Sequence, residues 1–323
     1  MTELSHKILA EYQVRKTTLQ KTKFITFLQE YFPQLQVETV GLIKSRNLIV
    51  GDIKNAKIIL AAHYDTCARM IVPNFITPKN PILAIAYSFV ILIPMMILVM
   101  GMNMLFGLIT DDFTIHYLIS VAAFFALMYV MVAGPANKHT ANDNTSGVIM
   151  LCEMLQTLSP EELQKTAIVF FDNEEIGLVG STGFRKLHKA DMTNKLLINF
   201  DCISDGDNIL VAVSKSARKN YNTTINEAFV IESQKKILLT ESEKTYYPSD
   251  QAGYPNHIAI AALRKNKILG YYMDRIHTDK DTVFDESNID TIGSCIKKLI
   301  NLLEPQIRPR YFLPWPKIFR KLE

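Results

Sequence analysis

KIILAAHYDT, residues 57–66, and TAIVFFDNEE, residues 166–175, are each an unbroken apolar run that ends in ionisable side chains. A strand that is apolar on both faces is buried on both faces, the habit of parallel sheets covered by helices. KLLINFDC (195–202), NILVAVSK (208–215), KKILLT (235–240) and HIAIAAL (257–263) add further strands. Helical patterns lie between them at 147–158, about 178–189, near 216–232 and at 288–303. This alternation predicts an α/β fold, a three-layer αβα sandwich around a mixed, mostly parallel sheet. Chemistry in such sheets collects beyond the carboxyl ends of the strands. Upstream, residues 3–31 read as one or two amphipathic helices marked by Ile8, Leu9, Tyr12, Leu19, Phe24, Phe27 and Leu28. VETVGLI and NLIVGDI follow as strands, and KNAK between NLIVGDI and KIILAAHYDT predicts a hairpin turn.

The 323 residues suffice for one large domain or two small ones. A 48% hydrophobic and 21% charged composition excludes disorder, and a formal charge of +3 is too small for a nucleic-acid footprint. Cys67, Cys152, Cys202 and Cys295 lie far apart without a CxxC pair, a pattern of free thiols in a reducing compartment. The opening MTELSHKILAEYQVRKTTLQ breaks every apolar run with charge, so no secretory signal is expected there.

Residues 81–109 carry no charge at all, and a second apolar run occupies 117–134 beyond the polar stretch TDDFTIH (110–116). A bilayer core of roughly 30 Å takes about 20 apolar residues of helix. Residues 81–134 therefore predict an inserted two-helix transmembrane hairpin, with Pro94 tolerated inside the first helix. The alternative is a pair of buried core helices or an apolar dimer interface, although core helices normally keep a polar stripe. Arg69, Lys79 and Lys138 flank the hairpin while Asp111 and Asp112 sit in its turn. Positive residues stay cytoplasmic, so both flanks and the catalytic domain are expected on the cytoplasmic face of the membrane. Residues 306–323 form a basic aromatic tail suited to lipid headgroups, or an ordinary tail packed on the domain.

The strand ends deliver His63 and Asp65, then Asp172, Glu174 and Glu175, then Asp201; loops add Asp143, His277 and Asp281. Taken alone, Asp143 reads as the N-cap of the helix starting near Ser146. Glu174 and Glu175 follow a fully apolar strand, and neighbouring carboxylates divide labour well: one holds a metal, the other moves protons. Two histidines and several carboxylates, with no cysteine among them, make an N/O set suited to zinc, or to cobalt or manganese in its place.

The order HYD (63–65), NDNTSG (142–147), NEE (173–175), FDC (200–202) and IHTDKDT (276–282) resembles the co-catalytic zinc aminopeptidases. That family includes plasma and prostate glutamate carboxypeptidases and the glutaminyl cyclases. The likeness spans roughly residues 45–66 and 138–303. It implies a zinc-dependent exopeptidase with two zinc ions. Asp143 resembles the bridging carboxylate, His63 and Asp201 the other ligands of one zinc, and Glu175 and His277 those of the second. Asp65 resembles the acid that orients the His63 imidazole, and Glu174 the general base acting on the attacking water. TYYPSDQAGY (245–254) resembles a substrate loop, implying Ser249, Asp250 and either Tyr246 or Tyr247 near the substrate, a tyrosine there helping to bind the oxyanion. Here the chain departs from the family, with Gln251 in place of a histidine and His257-Ile258-Ala259 in place of Gly-Ile-Pro.

The resemblance, together with the apolar hairpin, thus implies a membrane-tethered aminopeptidase acting on peptides. A metallo-carboxypeptidase or dipeptidase on the same fold, or a non-catalytic peptidase-like membrane protein, are the alternatives. Cyclases of the family bind one zinc, so two complete ligand sets favour peptidase chemistry. The expected layout is one discontinuous peptidase domain, residues 1–80 and 135–305, interrupted by the hairpin at 81–134.

Overall fold

A computed structural model describes residues 1–303 apart from 71, 73 and 232. The tail expected at 306–323 lies outside the described residues. Helices α1 (Glu3–Glu11) and α2 (Thr18–Tyr31) precede strands β1 (Gln36–Val40), β2 (Ser45–Val50) and β3 (Ile58–His63). Two long helices follow, α3 (Pro81–Gly107) and α4 (Phe113–Ala133), and then α5 (Gly147–Thr157), α6 (Pro160–Lys165) and β4 (Thr166–Phe171). The chain continues through α7 (Val179–Leu187), β5 (Leu196–Phe200), β6 (Asn208–Val213) and α8 (Lys215–Ala228). It closes with β7 (Lys236–Glu241), β8 (His257–Asn266), β9 (Gly270–Tyr272) and α9 (Glu286–Leu302).

The sheet order is β1-β2-β4-β3-β5-β8-β6-β7, with β9 on β8. Its centre, β4-β3-β5-β8, is parallel, while β1, β2 and β6 introduce antiparallel pairs. Every residue of β3, β4 and β5 is buried, as their apolar runs require. Alternation sorts those residues to two faces. Ile58, Leu60, Ala62, Ile168 and Phe170 join a cluster with residues of α1, α2, α5, α8 and α9. Ile59, Ala61, Ala167, Val169 and Phe171 join Phe184 of α7 on the other face. This is the three-layer sandwich. One local expectation fails: β2 and β3 do not form a hairpin, because β4 lies between them and pairs with both. The buried alternation of β4 claims the central position, and residues 51–57 become a crossing connection.

Helices α3 and α4 span about 40 and 31 Å at 1.5 Å per residue. Asn80 caps α3, accepting from the Leu83 amide at 3.1 Å, with Pro81 in the first turn. Asp112 caps α4, accepting from the Thr114 amide at 2.7 Å. Near the turn the helices share one polar knot. The Asn103 amide donates to Ser120 Oγ, and the His116 ring meets Asn103 Oδ1 and the Thr110 carbonyl, both at 2.8 Å. Elsewhere the hairpin is apolar and outward-facing: Leu98, Phe125 and Tyr129 are 57%, 65% and 72% exposed. At its base the two legs rejoin, the Arg69 amide donating to the Pro135 carbonyl at 2.8 Å.

Candidate metal centre

Because β3, β4 and β5 run parallel, their carboxyl ends deliver side chains to one place. His63 is the last residue of β3; Glu174 and Glu175 follow β4, and Asp201 follows β5. Asp143 arrives from the turn before α5, and His277 from the loop after β9. His63 Nε2 lies 3.4 Å from Asp143 Oδ1 and 3.6 Å from Asp201 Oδ1. His277 Nε2 lies 3.1 Å from the other Asp143 oxygen, Oδ2, and 3.3 Å from Glu175 Oε2. Asp143 thus turns one oxygen to each histidine. All five expected ligand residues converge, in two groups that share one carboxylate.

The framework holding them is polar and buried. Asp281 accepts from the Asn142 amide at 2.8 Å and the Asp143 amide at 3.0 Å, fixing the turn that carries Asp143. The Asn144 side chain donates to the Phe200 carbonyl at 2.9 Å and accepts from the Gly147 and Cys202 amides at 3.1 and 3.3 Å. Asn142 Oδ1 accepts from the Ser204 amide at 2.8 Å. These two asparagines, which sequence reasoning left without a role, lock the Asp143 turn to the Asp201 loop. Asp143 makes no capping bond to α5; Asn144 takes that place. Gly147 admits no side chain, since a Cβ there would stand 2.5 Å from the Phe200 carbonyl oxygen. Asn173, Cys202 and His277 hold positive φ of 59°, 56° and 65°, a conformation costly for side-chain-bearing residues and concentrated here at the site.

Asp65 does two things. Its carboxylate accepts from the Glu174 and Glu175 amides at 3.0 and 3.2 Å and lies 3.6 Å from His63 Nδ1. Its carbonyl is nearer, 3.1 Å from the same nitrogen. A carbonyl only accepts, so Nδ1 carries the proton and Nε2 presents its lone pair toward Asp143 and Asp201. Asp172, by contrast, pairs with Lys21 at 2.5 Å and accepts from the Arg46 amide, outside the cluster. In the 245–254 loop, Tyr247 is buried and its hydroxyl donates to the Asp201 carbonyl at 2.9 Å. Tyr246 is 59% exposed and its amide meets the Pro78 carbonyl at the hairpin base. Ser249 accepts from the Asn199 amide at 3.0 Å, and Asp250 is fully buried.

Burial raises Glu174 well above the carboxylate range, assisted by Glu175, Asp250 and Asp201 and opposed by His63. Glu175 is pushed up to about 8 and Asp250 to about 7, in both cases chiefly by burial. Burial also acts against charge on His277, but Glu175 and Asp143 outweigh it and raise the ring to about 9. At His63 burial is likewise overcome, by Asp143, Asp201 and Asp65. So many buried acids demand positive charge; the two rings supply part of it, and Arg15 and Lys21 act on Asp65 from the flank. Four ligands at about 2.0–2.1 Å around a tetrahedral zinc stand roughly 3.3–3.4 Å apart. The 3.1–3.6 Å separations here fit that spacing, and one Glu175 oxygen is buried without a hydrogen-bond partner.

The model of peptidase family M28 matches residues 123–302, more than half of the chain. The chain belongs to peptidase family M28. The match takes in Asp143, Glu174, Glu175, Asp201 and His277 but begins downstream of His63. Among solved structures, the fold is similar to the LapA aminopeptidase of Legionella pneumophila, with a TM-score of 0.52 and 13% identity over 93% of this chain and 69% of that one. It is similar to a zinc-dependent exopeptidase of Parabacteroides distasonis, with a TM-score of 0.50 and 14% identity over 92% and 97%. It is equally similar to the glutaminyl cyclase of Porphyromonas gingivalis, with a TM-score of 0.52 and 13% identity over 93% and 97%. No relative matches among curated protein sequences. As a member of this zinc peptidase family, the chain is a hydrolase acting on peptides, with an αβα fold and candidate zinc ligands at its strand ends.

Proposed function

We propose that this M28 member is a membrane-tethered aminopeptidase with two zinc ions, which removes N-terminal residues from peptides. The observation that carries the reading is Asp143, whose two oxygens each face a different histidine. In this reading His63, Asp201 and Asp143 would hold one cation, and Glu175, His277 and Asp143 the other. Bound there, the cations supply Lewis acidity to the scissile carbonyl and lower the pKa of water.

The chain's own groups do the rest. Glu174 takes a proton from the attacking water on its carboxylate and delivers it to the leaving amine nitrogen. Asp65 grips the Glu174 amide and so fixes where the base stands. The charged groups acting most strongly on Glu174 and Asp250 are acids and His63. Ser249, Asp250, Tyr246 and Tyr247 belong to the loop proposed to border the substrate.

In the proposed layout, residues 1–80 and 135–305 form the peptidase domain and 81–134 cross the bilayer twice. The length and outward apolar surface of α3 and α4 support this. The flanking charges Arg69, Lys79 and Lys138 support a cytoplasmic face for the domain.

The test is a peptide pair with free and acetylated N-termini, given to full-length protein in detergent. Hydrolysis of the free peptide alone, releasing its first residue, is expected. Cleavage of the acetylated peptide, or release from the C-terminus, would overturn the assignment.

A further inference from the structure

Cys67 lies four residues beyond His63, where the chain leaves β3 for the hairpin, and is 2% exposed. Its Sγ and one ligand atom each of Asp143, Glu175 and His277 all lie within 4.8 Å of one another. Two backbone ties hold it there. The Asn137 amide donates to the Cys67 carbonyl at 3.1 Å, and the Met70 amide donates to the carbonyl of His277 itself at 2.7 Å. The other cysteines do not share this position. Cys152 and Cys295 lie in the apolar core, and Cys202 Sγ donates to Asp201 Oδ1 at 3.1 Å, beside the other histidine. A second observation comes from Glu175. Its side chain is nine-tenths buried, yet Oε1 has no hydrogen-bond partner while Oε2 faces His277.

We propose that Cys67 is a ligand of the cation held by Asp143, Glu175 and His277, giving that position a sulfur donor beside one nitrogen and two carboxylate oxygens. The inference rests on the metal-centre reading above. With Zn–S at about 2.3 Å and the other ligands at about 2.0–2.1 Å, tetrahedral donors stand roughly 3.3–3.6 Å apart. An envelope of at most 4.8 Å admits that spacing. Binding replaces the S–H bond with a sulfur–metal bond, and the thiol proton leaves to solvent. A soft sulfur donor turns one of two otherwise hard positions toward zinc and cadmium and away from manganese. The two cations would then differ in character: the one at His63 and Asp201 all N/O, the one at His277 partly thiolate. It also binds the second cation to the segment that enters the hairpin.

The test replaces the resident metal in full-length, detergent-solubilised protein with Co2+ and records its absorption spectrum. Cobalt d–d bands accompanied by a sulfur-to-cobalt charge-transfer band in the near ultraviolet are expected. That band should vanish in Cys67→Ser and persist in Cys202→Ser, with d–d bands retained in both. Cobalt bound with d–d bands and no charge-transfer band in the unsubstituted protein overturns the sulfur ligand and leaves the metallopeptidase reading standing. A charge-transfer band that survives Cys67→Ser and disappears in Cys202→Ser also overturns it. If no cobalt binds, the metal centre falls, and the inference with it.

Discussion

The carboxyl end of the sheet and the helical hairpin beside it break the ordinary rule of burial in opposite directions. At the sheet end, His63, Asp65, Asp143, Asp201, Asp250 and Asp281 are all at most 7% exposed. In the hairpin, Leu98, Phe125 and Tyr129 are more than half exposed. Charged side chains are almost never fully buried unless paired, and contiguous apolar surface is seldom left in water. Each inversion calls for a complement from outside the chain. For the buried acids we propose divalent cations as that complement, and for the bare apolar helices lipid. The two meet at the hairpin base, where the Met70 amide bonds to His277 and the Ile76 amide to Met273, each through a backbone carbonyl.

The largest effect that sharpens this contrast is chemical. Glu174→Gln should lower kcat by roughly 10²–10⁴-fold, the usual worth of a general base, while metal content stays unchanged. Loss of metal in that variant would move Glu174 from base to ligand. On the hairpin side, Leu98→Arg puts a charge near the middle of α3 and should cost about 2.5–3.5 kcal/mol of insertion. The check is the fraction of protein resisting alkaline extraction from membranes, and an unchanged fraction would deny the bilayer role.

Removing metal tests the buried charges directly. In the metal-free chain His277 is raised from 6.5 to about 9 and Glu175 from 4.5 to about 8. Between those pairs of values the folded state holds more protons than the unfolded one. Its stability should therefore fall as pH climbs from about 5 to 9. Zinc at a hundredfold excess over its Kd should add about 2.7 kcal/mol. That gain should grow with pH, because the ligands bind deprotonated. Thermal unfolding with and without chelator, scanned over pH, gives both slopes. The smallest effect is expected from Phe125→Ala, which should leave domain stability within about 0.5 kcal/mol because the ring packs outward.

Much of this was legible in the sequence, for physical reasons that differ from place to place. Strands buried on both faces must be apolar throughout, so 57–63 and 166–171 announced themselves, and the acids ending them marked the site. The hairpin was legible because an uncharged run of its length has few other uses. Pairing order was not. KNAK permits a tight turn, and only the packing of β4 against both neighbours excludes it. Nor was the scaffold of the site. Asn142 and Asn144 flank Asp143 in sequence, but their bonds run to residues about 60 positions downstream. Cys67 was set aside because no second cysteine lay nearby; its neighbours are Asp143, Glu175 and His277, far away in sequence. Asp172 looked like the other strand-end acids until Lys21 of α2 claimed it.

The central claim is that the buried acids are the two halves of one cation site joined through Asp143. A metal count on the purified full-length chain tests it most directly. Two divalent cations per chain are expected, falling together in Asp143→Asn. A chain that carries none after exposure to zinc, while remaining folded, would contradict it.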